Sequence, residues 1–462
     1  MRNVIIVGAG IAGALLKEDV AANHPDINII GFVDDAHSPE AGKFLGRIDQ
    51  LPSILRIYKI DEIIVALPSA GGELMRKILL HLLDNRIPLK LIPRTQEVIS
   101  RDFVTYANVK DFSCEDFLGR AFRKSETSVL QSFYQDKTVL VTGGAGSIGS
   151  EMVRQLLDLD VRQVVVYDNS EFAIFNLNQM LLERDIPAER CKCIVGSVVN
   201  RRKMDRVVGQ EKPDVIFHAA AYKHVYLMED NVDEAIVNNV IGVKNVVDAA
   251  VAHGIGDFVF ISTDKVVNPT GVMGASKKLG EFYLRQFVNC KTKFNIVRFG
   301  NVINSNGSVL PLFERQLKTR RRLTVTDRRV KRFFMSIREA AQLVISCLIH
   351  RSGGEIFILN MGELIGIYEI AQCLVRSRNL IVDEDVKMDV IGLKKGEKME
   401  EELFTEAEMQ NMEATAMKDV YRLKNHDECH MDVEAIISEL TRLVEEDAPQ
   451  AKTREYLMGV FR

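Results

Sequence analysis

The chain has 462 residues, 47% of them apolar, with 60 basic against 64 acidic side chains and a net charge of −4. Such a length predicts two or three domains with sizeable cores. The even charge balance gives no electrostatic case for nucleic acid. No stretch of 18 or more apolar residues marks a membrane span.

The N-terminus runs straight into a strand pattern and lacks a signal-peptide layout. Seven cysteines are scattered: Cys114, Cys191, Cys193, Cys290, Cys347, Cys373 and Cys429. Their odd number and the lack of a Cys-X-X-Cys predict reduced thiols and a cytoplasmic protein. His426, Glu428, Cys429 and His430 match no common zinc spacing, so no metal is expected. Basic stretches at 319–322 and 328–332 read mostly as solvated surface.

In chain order, 4–7 is a buried-strand run, followed by Gly-X-Gly-X-X-Gly over 8–13 and a helix to about 22. A strand over 27–33 ends in Asp34 and Asp35. A strand at 61–67, a helix at 73–85 and a strand at 89–92 continue the alternation. This is the pattern of a small doubly wound α/β domain. Its glycines serve tight turning and helix packing as well as nucleotide binding, and both readings stay open. Residues 1–115 form this domain, and 116–136 read as a connector.

A second α/β unit covers 137–462. Strand 138–142 leads into a glycine turn carrying Gly143, Gly146 and Gly149. A helix over 150–159 and a strand over 164–168 follow, with Asp168 placed 19 residues after the third glycine. A carboxylate there suits the two hydroxyls of an adenosine ribose, which favours NAD over a 2′-phosphorylated cofactor. Further strands are predicted at 193–196, 215–219, 258–262 and 294–299, with a long helix at 232–253. After 298 the pattern loosens, as in a substrate-binding subdomain. The fold class is therefore α/β, with two successive Rossmann-like doubly wound parallel-sheet domains.

The apolar run 258–262 ends in Thr263, Asp264 and Lys265. Asn268 and Pro269 break the chain, and a helix starts near Met273. Met273 and Lys277 are four apart and share a helix face.

Nine ordered segments carry a family resemblance: 116–120, 142–151, 218–225, 262–265, 268–277, 298–302, 307–313, 332–337 and 396–402. On these the chain resembles the UDP-N-acetylglucosamine 4,6-dehydratases of the polysaccharide-biosynthesis family, in their long two-domain form. They are extended short-chain dehydrogenase/reductase enzymes. Three departures stand out. Met273 occupies the position of the superfamily's catalytic Tyr. Ser197 replaces an Asp that meets adenine, and 394–398 reads Lys-Lys-Gly-Glu-Lys.

The resemblance implies bound NAD, held by Gly143, Gly146, Ser147, Ile148, Gly149, Asp168, Ser197, Ala219, Ala220 and Lys277. It implies C4 oxidation of a UDP-N-acetylhexosamine, loss of water across C5 and C6, and hydride return to C6. Lys265 becomes the C5 base and Asp264 the C6 acid. A thioether exchanges no proton, so Met273 is a packing residue. Asp264 then deprotonates the C4 hydroxyl, directly or through Thr263 or a water, and passes that proton to C6. Lys223 and His224 are expected near the cofactor or sugar, and Asn301, Arg332 and Glu397 near the uridine diphosphate. The edge at 324–326 is expected to line the nucleotide pocket, and self-association is expected. The rival readings are a C5-inverting dehydratase, a 4-epimerase and a non-catalytic nucleotide-sugar sensor.

Overall fold

The structure is a computed structural model. It describes residues 1–36, 42–93, 104–113, 116, 127–287, 289–417, 419–424 and 431–461. Cys114, most of the 116–120 segment, and the cluster of His426, Glu428, Cys429 and His430 lie outside the described residues.

The chain divides into two compact units, each α/β with a mainly parallel sheet. The first comprises Met1–Arg123, Gly307–Val330 and Ile365–Gly392. Its sheet is built from β1 (Arg2–Val7), β2 (Ile27–Val33), β3 (Phe44–Gly46), β4 (Glu62–Val65), β5 (Leu89–Leu91) and β6 (Lys110–Asp111). The order is β3-β2-β1-β4-β5-β6, parallel except for β6. Val4–Val7 are all buried, as a central strand covered on both faces requires.

Two segments from the second half of the sequence pack within this unit. Arg322–Val325 pairs in parallel with Lys387–Val390. Helix Ile367–Ser377 buries Arg376, whose guanidinium donates to the carbonyls of Leu82 at 2.6 Å and Ile87 at 2.7 Å. Burial pushes that guanidinium down to about 10. Thr324 is held by Gln316, which accepts its N–H and donates to its hydroxyl.

The second unit comprises Lys124–Asn306, Lys331–Leu364 and Leu393–Arg462. Its strands are β7 (Thr138–Thr142), β8 (Gln163–Asp168), β9 (Cys191–Val195), β10 (Val215–His218), β11 (Asp257–Thr263) and β12 (Lys293–Phe299). They order as β9-β8-β7-β10-β11-β12, all parallel, so the strand order reverses between β7 and β10. Ligands of such sheets bind in the crevice outside the strand ends at that reversal. Beyond β12 the sheet continues through Glu355–Leu359, Val420–Lys424 and Met412–Ala414, the last two antiparallel additions.

Several element boundaries differ from the sequence reading. The stretch 116–136 carries helix Thr127–Tyr134, with Leu130 and Tyr134 in the core and the Tyr134 hydroxyl donating to Ile345 O at 2.7 Å. The helix after β7 starts at Ser147, because Gly146 already has extended backbone and leads directly into the first turn. The helix expected over 232–253 is interrupted. Val232–Ile236 and Gly242–Ala252 are α-helical, and Val237–Ile241 between them is a π-turn. The stretch Val232–Ala252 is long and apolar enough to cross a membrane, but 67% of its most apolar window is buried inside the unit.

Candidate active site

The glycine turn after β7 is shaped by close approach. A Cβ on Gly149 would lie 2.2 Å from the Gly143 carbonyl oxygen, so only glycine lets the helix Ser147–Leu157 start against the turn. Gly143 itself has φ +67° and faces the Ala219–Ala220 backbone of the segment after β10. N–H groups in the first turn of a helix lack intrahelical acceptors and favour negative charge. Ser147, Ile148 and Gly149 stand in that turn. At the end of β8, Asp168 accepts the Ala145 N–H at 3.0 Å and the Ser170 N–H at 3.0 Å. Its carboxylate is thereby aimed along the glycine turn. Ser197 uses its hydroxyl on the Val199 N–H and its carbonyl on the Tyr167 hydroxyl.

The buried floor here is His218, whose Nδ1 is 2.8 Å from Thr142 Oγ1 and whose ring stacks on Phe260 at 5.8 Å. Burial, then the nearby Lys277, pushes its pKa down to about 3, so the imidazole is neutral at pH 7. Its Nε2 is buried with no hydrogen-bond partner among the described residues.

At the end of β11 the chain turns through Asp264–Val266. The Thr263 hydroxyl donates to Asp264 Oδ1 at 2.8 Å, and Lys265 Nζ donates to the same oxygen at 2.9 Å. Lys265 also donates to Asn301 Oδ1 at 3.0 Å. Asp264 is 0% exposed, and its Oδ2 is buried with no hydrogen-bond partner among the described residues. A Cβ on Gly300 would lie 3.1 Å from that oxygen, so the space beside it is kept open by a glycine. The backbone of the turn is fixed from the other side. A Cβ on Gly274 would lie 2.2 Å from the Lys265 carbonyl, so the helix Val272–Arg285 can rest directly on the turn.

A buried charge network anchors this arrangement. Arg298 on β12 donates Nε to Glu281 Oε1 at 2.8 Å and Nη2 to Oε2 at 2.6 Å, while Nη1 meets Glu408 at 2.8 Å. Ser262 on β11 donates to Glu281 at 2.7 Å. Burial alone would raise the Glu281 carboxyl, but Arg298, Lys278 and these hydrogen bonds hold it down at about 2. The network ties β11, β12 and the helix together one residue before Thr263.

Helix Val272–Arg285 begins where Glu229 Oε1 accepts the Val272 N–H at 2.7 Å, a carboxylate at the positive helix end. Met273, one residue later, is 3% exposed and belongs to the hydrophobic core. Lys277 is 4% exposed; its ammonium donates to the Ile261 carbonyl at 2.7 Å and lies 3.8 Å from the Phe260 ring centre. Burial pushes its pKa down to about 7 against the pull of Glu281.

The segment after β10 is positioned by Asn239 from the π-turn. Its amide accepts the Tyr222 N–H at 2.8 Å and donates to the Tyr222 carbonyl and to Ser276 Oγ. Such π-bulges occur frequently at functional sites. Lys223 donates to Ser305 Oγ at 3.1 Å, and burial followed by the Lys265 charge lowers its pKa. His224 is also lowered, by burial, Lys223 and Lys394.

Arg332 is buried, and its guanidinium is spent on the chain itself. It donates to the carbonyls of Lys331, Lys398 and Met399 and to Glu397 Oε1 at 3.2 Å. Glu401, two residues beyond that clasp, stands at the turn after β11, 3.9 Å from Lys265 Nζ.

The second unit thus gathers Thr263, Asp264, Lys265 and Asn301 into one hydrogen-bonded cluster. Lys277 and His218 both pack against the Phe260 ring on β11. Sequence reasoning singled out none of Glu401, Asn239 or Glu229. Glu401 stood in the matched 396–402 segment, but three of its neighbours are also acidic and only contacts separate them. A buried Asn pair in an apolar helical run was the available signal for Asn239.

Residues 139–425 match the model of a family described as "Polysaccharide biosynthesis protein". The chain belongs to that family. Residues 1–93 match a model described as "CoA-binding domain". The capsular polysaccharide biosynthesis protein CapD of Staphylococcus aureus is 33% identical over 448 residues, spanning 95% of this chain and 74% of that protein.

Among solved structures, Pen from Bacillus thuringiensis is 33% identical with a TM-score of 0.59, covering 65% of this chain and 90% of that one. A double mutant of the dTDP-glucose 4,6-dehydratase DesIV from Streptomyces venezuelae, with NAD and DAU bound, is 25% identical. Its TM-score is 0.51, and the match covers 57% of this chain and 87% of that one. The second unit therefore has the Rossmann fold of the extended short-chain dehydrogenase/reductases, and the chain is an enzyme of their dehydratase and epimerase kind.

Proposed function

We propose that this polysaccharide-biosynthesis protein is an NAD-dependent 4,6-dehydratase of a UDP-N-acetylhexosamine, with UDP-GlcNAc as the substrate. The observation that carries the reading is the adjacent pair Asp264 and Lys265, hydrogen-bonded at 2.9 Å, with one Asp264 oxygen buried and unengaged. A carboxyl and an amine side by side are what proton removal at C5 and protonation at C6 require. A plain 4-epimerase needs no such pair.

The glycine turn, the first-turn N–H groups of Ser147–Gly149 and the Asp168 carboxylate fit a dinucleotide, with Ala219 and Ala220 across the turn. Ser197 and Lys277 complete the proposed set. Bound there, NAD supplies the hydride acceptor for C4 and the hydride returned to C6. The chain's own residues move the protons. Asp264 takes the C4 hydroxyl proton, since buried Met273 has none to exchange. Lys265 takes the C5 proton. Asp264 then gives its proton to the C6 hydroxyl, which leaves as water, and Lys265 returns its proton to C5. Protons balance over the cycle. Thr263 and Asn301 orient the pair through the hydrogen bonds they make to it. Lys223 and His224 remain the proposed substrate side, while Arg332, expected at the uridine diphosphate, instead holds the Lys331, Lys398 and Met399 carbonyls and Glu397.

Incubation with UDP-GlcNAc and product mass decides the reading. Loss of one water supports it, and an isomer of unchanged mass overturns it in favour of an epimerase. Product NMR in deuterated water gives the C5 configuration. Asp264→Asn is expected to lower turnover by about 10²–10⁴, with thermal stability kept.

For the first unit, the match to a CoA-binding domain and the bracing of the Ala9 N–H by Asp34 at 2.6 Å support a nucleotide-bearing ligand. Thermal shift with coenzyme A and with NAD tests that. Thiols at Cys191, Cys193, Cys290 and Cys347 fit a cytoplasmic enzyme, and self-association is checked by light scattering.

A further inference from the structure

Asp264 and Lys265 alone leave one proton misplaced. Their contact at 2.9 Å favours a carboxylate beside an ammonium. An ammonium has three donors and no lone pair, so it cannot accept the C5 proton. When Asp264 becomes neutral by taking the C4 hydroxyl proton, Lys265 still needs an acceptor for its own.

Glu401 is placed to be that acceptor. Its side chain is 5% exposed, its Oε1 lies 3.9 Å from Lys265 Nζ and 3.8 Å from Arg332 Nε. Its Oε2 is buried with no hydrogen-bond partner among the described residues. A buried carboxylate oxygen without a donor is costly while charged and comfortable once protonated. Five other charged groups face this point. Asp264 and Lys265 come from the turn after β11, and Arg332, paired with Glu397, comes from Lys331–Arg332. Lys398 belongs to Glu401's own segment. Burial and then the attraction of Lys265 act on Glu401 in opposite directions, with burial the larger, so its pKa is raised. Lys223 lies close enough to Lys265 for that charge, after burial, to lower the Lys223 pKa.

We propose that Glu401 neutralises Lys265 for catalysis: an ammonium N–H bond breaks, an O–H bond forms on the Glu401 carboxylate, and the freed nitrogen lone pair becomes the C5 base. The transfer turns an ion pair into two neutral groups, which a buried site favours. When Asp264 is ionised again at the end of the cycle, the proton moves back to Lys265. Glu401 acts through Lys265 and touches no reacting atom, so it is a positioning residue.

The inference rests on the dehydratase reading, and the wild-type product tests that reading separately. If the wild type releases no water, the reading itself fails. With an active wild type, Glu401→Gln is expected to lose turnover about a hundredfold at pH 7, with KM for UDP-GlcNAc unchanged. Its turnover should then climb about tenfold per pH unit above pH 7 as Lys265 loses its proton to solvent, while the wild type stays flat. Deuterium exchange at C5 of the product in deuterated water should follow the same profile. Glu401→Asp retains an acceptor and should keep the flat profile at a lower rate. A loss in Glu401→Gln that is equal at every pH, or no loss at all, overturns the proposal. So does a Glu401→Asp profile that rises with pH, which remains readable even if Glu401→Gln does not fold.

Discussion

Replacing Lys277 by Met should make the protein more stable while destroying its activity. The Lys277 ammonium is pushed from 10.5 down to about 7 by burial. A fall of that size corresponds to about 5 kcal/mol of cost for holding the charge in the fold. Lys277→Met removes that cost and should therefore gain up to about 4–5 kcal/mol at pH 6, a stability–activity trade-off.

The sign with pH follows from proton counts. Between pH 7 and 10.5 the unfolded lysine keeps a proton that the folded one has released, so wild-type stability rises with pH in that window. The advantage of Lys277→Met should shrink by about 2–3 kcal/mol between pH 6 and 9. The chain has no tryptophan, so urea unfolding followed by circular dichroism is the assay. A stability gap that ignores pH would refute a buried, depressed Lys277.

Glu281→Gln removes one partner of the buried pair with Arg298 and should cost about 3–5 kcal/mol. Wild-type Glu281 is depressed from 4.5 to about 2, so its contribution of about 3 kcal/mol is present above pH 4.5 and is lost as pH falls to 2. The Gln variant should lack that acid limb in denaturant titrations, and an unchanged limb would assign it to other groups. Gly149→Ala places a Cβ 2.2 Å from the Gly143 carbonyl. NAD affinity by calorimetry should fall at least about tenfold, the equivalent of about 1.4 kcal/mol; equal affinity would show that the turn yields without cost.

The alternation of apolar runs with glycine turns made both parallel sheets legible, because a strand buried on both faces must be apolar throughout. β2 and β7 were read to the residue. The sheet's extension through Glu355–Leu359 and Val420–Lys424 was not, since its pairing is long-range and its final strands are short and half-polar. The helix over 232–253 was read whole because apolar periodicity does not register a single wider turn at Asn239.

The sequence by itself determined the chemistry on offer. The Thr263–Asp264–Lys265 order at a strand end and Lys277 four residues beyond Met273 are local facts, set by chain connectivity and helical period. The tertiary structure decided how those groups are charged. Glu401 and Arg332 lie more than sixty residues from Lys265 in sequence yet within 4 Å of it or of each other in space. The raised pKa of Glu401 depends on burial first and on those through-space contacts next, and burial depends on every element packed around them. No local pattern encodes either, because charge and solvent act across distance in space and take no account of separation along the chain.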